Sequence, residues 1–407
     1  MTDLSVDAPL LTGRSPALTI NGKVAAVAAV ILLGGAAALS STISWRQGAL
    51  YLLGGALGLS LYHALFGFTS AWRVFIADRR GAGLRAQMIM LAVAVALFFP
   101  ALSRGVLLGQ PVHGEYGAVG VGMMIGAFLF GFGMQLGGGC ASGTLYSAGG
   151  GNTRMLVTLA AFIAGSTLGA KHLAWWTALP NIGTVPLIET LGMPVALGLS
   201  LMLMALIYAT TVMVEKQRHG ELIPRAQSSV RGWRRFVQGP WPLVWGAVAL
   251  ALGNFATLYL AGRPWGITSA LALWGSKILL LSGVDVASWP YWQGARAASL
   301  QQSIFYDVTT VMDFGIMAGA LLAAALAGKF HPQWRIETRS LLGAVLGGLL
   351  LGYGARLAYG CNIGAYFSGI ASGSLHGWCW LVAAFVGSIV GTRIRPLFGL
   401  SVEYSRN

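Results

Sequence analysis

Along the chain, apolar residues gather into runs of about 20 separated by short polar breaks, which is the length an α-helix needs to cross the hydrocarbon core of a bilayer. Ten stretches are long enough to span: about 22 to 40, 48 to 66, 86 to 108, 116 to 136, 154 to 174, 192 to 214, 240 to 260, 307 to 328, 341 to 359 and 376 to 396. The pattern predicts an all-α polytopic membrane protein, with about ten full spans plus short half-helices and almost nothing left for a soluble domain. The run from Lys23 to about Ser40 is signal-like in its flanks. At about 18 residues it exceeds a signal h-region of about 7 to 15 and reads as a retained span.

Composition sharpens this. Hydrophobic residues make up 56% and charged residues 9%, against roughly a quarter charged in a soluble domain, so a soluble globular enzyme is excluded. The 58 glycines point to closely approaching helices and to glycine-broken segments that line cavities. A net charge of +14 does not make a nucleic-acid surface, because the Lys and Arg are scattered over short loops. Cationic loops mark the cytoplasmic side instead. The clusters are Arg73, Arg79, Arg80 and Arg85; Lys216, Arg218, Arg225, Arg231, Arg234 and Arg235; and Lys329, Arg335 and Arg339. All three, with both termini, fall inside if 137 to 150, 264 to 283 and 360 to 374 dip into the membrane without crossing. Three cysteines (Cys140, Cys361, Cys379) make neither a disulfide framework nor a metal spacing, so neither metal nor cofactor is expected.

Internal symmetry carries more information. The stretch Gly131-Phe132-Gly133-Met134-Gln135-Leu136-Gly137-Gly138-Gly139-Cys140-Ala141-Ser142-Gly143 matches Gly352-Tyr353-Gly354-Ala355-Arg356-Leu357-Ala358-Tyr359-Gly360-Cys361-Asn362-Ile363-Gly364 at one constant offset. Upstream, Gly67-Phe68-Thr69-Ser70-Ala71 pairs with Gly266-Ile267-Thr268-Ser269-Ala270, and downstream Ala160-Ala161-Phe162 pairs with Ala383-Ala384-Phe385. The span before Cys140 and the span before Cys361 run in opposite directions in the trace, which is the inverted-repeat plan of transporters. The expected organisation is an N-terminal tail and extra helix (1–47), a first repeat (48–191), a connecting helix with a basic cytoplasmic loop (192–239) and a second repeat (240–407).

Each repeat carries a cysteine between glycines where an apolar run breaks. Gly139, Gly143, Gly360 and Gly364 let the chain turn and its N–H groups face a ligand, and a helix starting there adds its positive dipole end. Ser142 stands two residues after Cys140, and Asn362 directly follows Cys361. A thiol is soft and a weak S–H donor, which suits a partner that is itself a sulfur, such as the terminal atom of thiosulfate. One Gly-Cys-x-x-Gly alone reads first as helix packing with a small buried cysteine; two copies at symmetric positions favour a substrate route. Arg356, whose counterpart is Gln135, stands four residues before Gly360 and could offset an anion's charge, or snorkel. Thr69, Ser70, Thr268 and Ser269 either donate to a passing anion or cap the short helices that follow. Cys379 between Trp378 and Trp380 reads as packing, His63 and His376 as structural. Asp307 and Asp313 read as a helix start and one buried polar contact.

At these residues the chain resembles the YeeE/YedE family of inner-membrane sulfur-compound transporters. The carrying motifs are Gly137-Gly138-Gly139-Cys140-Ala141-Ser142-Gly143-Thr144-Leu145-Tyr146, the stretch from Gly354 to Gly364, and Ser368-Gly369-Ile370-Ala371-Ser372-Gly373-Ser374-Leu375-His376-Gly377-Trp378, within a likeness from about 48 to 397. The resemblance implies import of thiosulfate or a related sulfur anion across the bacterial inner membrane. It also implies an hourglass-like bundle with re-entrant helices and a relay in which Cys140 and Cys361 hand the substrate on by S–H contacts without large rocking. The family often has a third cysteine before a Phe-Thr-Ser-Ala-like stretch, where this chain has Gly67. The departure leaves two possibilities: two thiols suffice, or the ligand is another sulfur or selenium species. The first span looks like an addition. Beside the anion and membrane lipid, a cytoplasmic sulfur-carrier protein such as TusA is a candidate partner for the basic loops. The rival functions are a membrane sulfurtransferase and a scaffold for such a carrier.

Overall fold

The computed structural model describes residues 20–223 and 232–403, so Arg225 and Arg231 of the second basic cluster lie outside the described residues. The chain opens with α1 (Gly22–Thr42), α2 (Trp45–Ala64), α3 (Phe68–Asp78), α4 (Ala82–Arg104), α5 (Val121–Gly137), α6 (Ala141–Gly149) and α7 (Thr153–Thr177). A short α8 (Leu187–Leu191), a long α9 (Met193–His219) and α10 (Trp233–Gln238) lead to α11 (Leu243–Ala261), α12 (Thr268–Leu281) and α13 (Ala297–Gln301). Then come α14 (Val308–Leu326), α15 (Thr338–Leu357), a π-helical segment Asn362–Ser368, α16 (Gly369–Ala371) and α17 (Leu375–Ile394). Strand pairing among the described residues is limited to β1 (Val106–Leu107) with β2 (Gln110–Pro111) and β3 (Ala118–Gly120) with β4 (Asn181–Thr184).

Ten helical stretches among the described residues are long and apolar enough to cross a membrane, one for each span expected from the pattern, and the protein is a multi-pass membrane protein. Two local features depart from expectation. The segment after residue 66, absent from the three stretches expected to dip in, adds a fourth short helix: α3 corresponds to α12, and its 11 residues are too few to span. The segment after Cys361 is wound more widely than an α-helix, with both Ala365 N and Tyr366 N donating to the Cys361 carbonyl.

Glycine contacts fix the helix directions. A Cβ on Gly126 would run into Leu357 and the Gly354 carbonyl, and one on Gly133 into Leu350 and the Gly347 carbonyl, so α5 and α15 cross antiparallel. Gly253 meets Leu57 and Gly246 meets Ala64, so α2 and α11 are antiparallel too. By contrast, Gly348 meets Thr158 while Gly352 meets Phe162, which makes α7 and α15 parallel. Pairs equivalent by sequence therefore run in opposite directions, as an inverted repeat requires. The packing also interlocks the two sets. α15 lies between α5 and α7, α17 packs on α5, and α14 packs on α2 through Gly54, Gly58, Gly315 and Gly319. With no apolar driving force between helices in lipid, backbone approach of this kind is what holds the bundle.

α1 and α9 differ. α9 buries only Ala196, Ser200, Met204, Thr211 and Glu215, a stripe that faces α4, while Leu199, Met202, Leu206 and Met213 are exposed. Such a face suits lipid. Glu215 on the stripe is paired with Arg85 at 2.6 Å.

Candidate functional site

Each cysteine stands where a long helix stops and a short one begins. α5 ends at Gly138, whose φ of +89° is in the left-handed region that favours glycine. The carbonyls left open there are met by cations from distant segments: Arg154 Nη1 donates to Gly137 O at 2.7 Å, Arg154 Nη2 to Leu136 O at 2.8 Å, and Arg395 to Gln135 O. Guanidinium groups at a helix C-terminus satisfy both its orphan acceptors and its dipole. Cys140 is then the N-cap of α6, and Cys361 the N-cap of the π-helical segment. Both are fully buried in one continuous core.

The sulfurs sit among small polar groups. Cys140 Sγ lies 3.3 Å from Ser142 Oγ, and Ile363 N donates to Cys361 Sγ at 3.4 Å. A Cβ on Gly139 would press on the Gly143 backbone at 3.1 Å, so closeness favours glycine there, while one on Gly143 would stand 3.6 Å from Cys140 Sγ, an ordinary contact. Gly360, with a φ of +154°, leaves no room for a Cβ beside Ala365 N. Asn362 is buried with neither its amide N nor its amide O bonded, an arrangement that leaves both a donor and an acceptor for a ligand.

The four helix breaks converge. α6 touches the segment 362–368. A Cβ on Gly364 would reach Gly266 Cα at 4.0 Å, and one on Gly67 would reach Tyr146 Oη at 3.8 Å, so each cysteine helix abuts the break preceding α12 or α3. A buried network fastens the second of these: Asn254 donates to Ser368 Oγ at 3.1 Å and accepts from Trp265 N at 2.8 Å, while Ser368 donates to Trp265 O at 2.7 Å. Around the junction, Tyr366 meets Phe68 and Trp72 edge-on and stacks on Trp380 at 6.1 Å.

Arg356 reaches the same region. Its guanidinium donates to Thr268 Oγ1 at 2.5 Å and to Tyr291 Oη at 2.7 Å, and its Nε is buried without a partner. The symmetric contact is present as well: Gln135 donates to Thr69 O at 3.3 Å. The threonines and serines do not act as N-caps, since α3 and α12 have no side-chain cap bond. Ser269 donates to Thr309, Ser70 to Gly67 O, and the buried Thr69 hydroxyl has no partner.

The loops joining α4 to α5 and α12 to α14 add charge. Burial pushes the Glu115 carboxyl above the ordinary carboxylate range, against the pull of Arg263, Arg296 and Arg356. Tyr291 lies between two of these cations, with Arg296 4.7 Å and Arg356 5.9 Å from its ring centre. Glu115 N and Gly117 N bond to Ser372 and His376, which gives that motif a loop-holding task. His63 is buried against Trp241, and Cys379 is half-buried at the edge of the core. Asp307 caps α14 as expected, with its carboxylate accepting from Thr310 N at 2.8 Å, but Asp313 makes no polar contact.

Ser368 opens one of the family motifs without a role of its own, and sequence spacing does not single out Asn254, Trp265, Arg154 or Arg395. Each acts on a residue far away in the chain, and only the buried polar type of Asn254 within an apolar span was a signal.

Comparison with known proteins agrees with this plan. The chain is 30% identical over 180 residues to the probable transporter YedE of Escherichia coli K12, covering 43% of this chain and 44% of that protein. It thus spans under half the length of that relative and of its Salmonella typhimurium counterpart. It is 27% identical over 349 residues to the thiosulfate transporter TsuA of Spirochaeta thermophila, covering 83% of this chain and 95% of that one. With the E. coli K12 TsuA the figures are 24%, 83% and 91%. The family model for sulphur transport matches residues 63–390, which takes in both cysteine breaks and the helices that interlock around them, and the chain belongs to that YeeE/YedE sulphur-transport family.

Proposed function

We propose that the protein imports thiosulfate, or a closely related sulfur-containing anion, across the bacterial inner membrane. The anion passes between Cys140 and Cys361. The observation that carries this reading is the pair of buried cysteines, each capping a short helix at equivalent breaks in two oppositely directed sets of spans. Relatives named thiosulfate transporters over most of their length support the substrate class.

On this reading residues 48–191 and 240–407 are the inverted repeats, 192–239 the connector, and 1–47 an addition. Both termini and the basic clusters face the cytoplasm, and α3, α6, α12 and the helical stretch after Cys361 dip in without crossing. The anion enters beside Arg263, Arg296 and Arg356, whose charge concentrates it at the outer mouth. Arg356 with Thr268 then holds its oxygens while the Cys361 thiol donates to its terminal sulfur. Gly360 and Gly364 expose N–H groups at the start of the segment, and Asn362 offers its free amide. Cys140, with Ser142 and the backbone around Gly139 and Gly143, receives the anion on the inner side. Thr69, Ser70 and Ser269 stand at the flanking breaks. No bond to the substrate forms or breaks. The interlocked spans favour a transfer between fixed groups over a rocking of halves. A soluble sulfur carrier of the TusA kind would collect the product at the cytoplasmic loops.

The test is growth on thiosulfate of a bacterial strain lacking its own sulfur-uptake routes, carrying the wild type or an equally expressed Cys361→Ala variant. Growth with the first alone is expected; equal growth with both would end the relay.

A further inference from the structure

Asp313 has no part in the route just described, yet it is the most anomalous side chain in the bundle. It lies inside a span, α14, with 0% exposure, and neither carboxyl oxygen has a hydrogen-bond partner. The other carboxylates on spanning stretches are accounted for: Asp78 pairs with Arg80 and Glu215 with Arg85. An unpaired ionised group at such a position is costly, and marks function by default.

Its place on the helix is telling. One turn before it, Thr310 accepts from Trp274 of α12, and one turn after it the Met317 carbonyl abuts Gly149 of α6. Asp313 therefore faces the gap between the two short helices, where Cys361 comes within its electrostatic reach. The equivalent span of the first repeat is α4. Counted from the N-caps Gly81 and Asp307, the sixth residue of α4 is Gln87, a neutral amide tied to Trp72 at 3.0 Å. The carboxyl is thus confined to one half.

The surrounding titratable groups leave it unpaired. On its own helix Asp307 adds only like charge and is engaged with Thr310. From α2, Tyr51 donates to Ile31 O and His63 lies against Trp241, and Tyr62 packs on Tyr146 of α6. Lys277 of α12 is committed to the carbonyls of Leu300 and Gln302. Arg263 is held by Thr309, and Arg235 of α10 by Pro240 O.

We propose that Asp313 is a proton-binding site that couples anion import to the proton gradient. The proposal rests on the transport reading. A proton from the outer side binds one carboxylate oxygen as the anion reaches Cys361, and leaves to the cytoplasm after the anion has moved on. It cancels part of the anion's charge against an interior-negative potential. The only bond made and broken is O–H. A proton needs only the one carboxylate oxygen, whereas a hard cation needs several oxygen ligands, and among the described residues no second acidic side chain joins Asp313 in a group of three or more His, Cys, Asp or Glu.

The experiment uses the purified full chain in liposomes and labelled thiosulfate. An outside-acid gradient should raise wild-type initial uptake about tenfold, and a protonophore should remove the gain. Asp313→Asn should still exchange labelled for unlabelled thiosulfate at a measurable rate but lose the response to the gradient, and Asp313→Glu should restore it. A gradient response retained by Asp313→Asn, or one driven by sodium instead, overturns the proposal. If the wild type carries no thiosulfate at all, the transport reading fails, and the proton site is judged on infrared spectra without substrate. A carboxylic-acid band that titrates with pH and vanishes in Asp313→Asn, or shifts in Asp313→Glu if the former does not express, supports it. Absence of the band overturns it.

Discussion

Arg356 and Thr268, 88 residues apart, are joined by a 2.5 Å hydrogen bond from guanidinium to hydroxyl. The first half repeats the contact in neutral form, Gln135 to the Thr69 carbonyl. The two halves thus share a scaffold but not a charge. On the proposed reading, the charged end attracts the anion and the neutral end lets it go.

Replacing Arg356 by Gln, which copies the first half, is therefore expected to weaken anion capture without unfolding the protein. Loss of a charge-assisted hydrogen bond of about 1.5–3 kcal/mol corresponds to a rise of roughly 10–160-fold in the KM for thiosulfate uptake. Arg356→Lys should fall between, since it keeps the charge and loses the fork. An unchanged KM in Arg356→Gln would limit Arg356 to holding Tyr291.

Cys140→Ala and Cys361→Ala should each abolish uptake, while Cys379→Ala stays close to wild type. Both loop thiols are buried at helix starts, whereas Cys379 sits half-buried at the core edge. Initial rates at matched membrane expression decide it. Normal uptake by both loop variants would remove the thiols from the mechanism.

Gly67→Cys is expected to be accepted. Gly67 has an ordinary φ of −104°, and the atom a Cβ would meet first is the Ser70 hydroxyl, the movable end of a side chain. Expression and thiosulfate uptake should match the wild type, with Ser70→Ala improving the double variant. Collapse of expression would mean that Ser70 cannot turn.

Gly131→Val should have the opposite outcome, because its Cβ would enter the Ala384 backbone. Overpacking of this kind typically costs about 1–3 kcal/mol or more, read as a lower unfolding temperature in detergent and reduced insertion. Gly34→Val, where nothing lies near the added atom, is the matched control and should behave as wild type.

The C-terminal segment should loosen in acid. Arg73 grips both oxygens of Glu403 at 2.6 and 2.5 Å. Burial pushes that carboxyl up, but the guanidinium outweighs it and holds Glu403 below its ordinary value of 4.5. A depressed value in the folded state means that the contribution is complete above the unfolded value and is lost as pH falls through the folded one. Protease clipping of the tail should therefore rise between about pH 5 and pH 3 in the wild type. In Glu403→Gln it should be high and pH-independent.

Much of this was legible in the chain itself. The ten spans followed from run length, and the matching glycines and cysteines foretold two oppositely directed halves, as the antiparallel pairs α5/α15 and α2/α11 bear out. What escaped was whatever depends on distant partners or on small differences in winding. α3 falls outside the expected dipping stretches because its 11 residues, though mostly apolar, are too few to span. The π-helical turn after Cys361 has no residue signature of its own, since Asn362 to Ser368 would fit an α-helix as well. Arg154 and Arg395 carry no sequence mark of their role; only folding brings them to the open carbonyls of α5. Asp313 was expected to have a polar companion because most buried carboxyls do, and its solitude emerged only from the packing around it.

The insertion of α15 between α5 and α7 also bears on how the protein is made. The glycine faces of α5 and α7 are completed by a helix that begins at Thr338, after most of the chain has left the ribosome. Until then those two helices have bare backbone turned toward lipid, and no local partner can stand in for α15. The first half therefore cannot mature alone: its biogenesis waits on the arrival of the second, and a chain truncated before Thr338 should be degraded rather than stored.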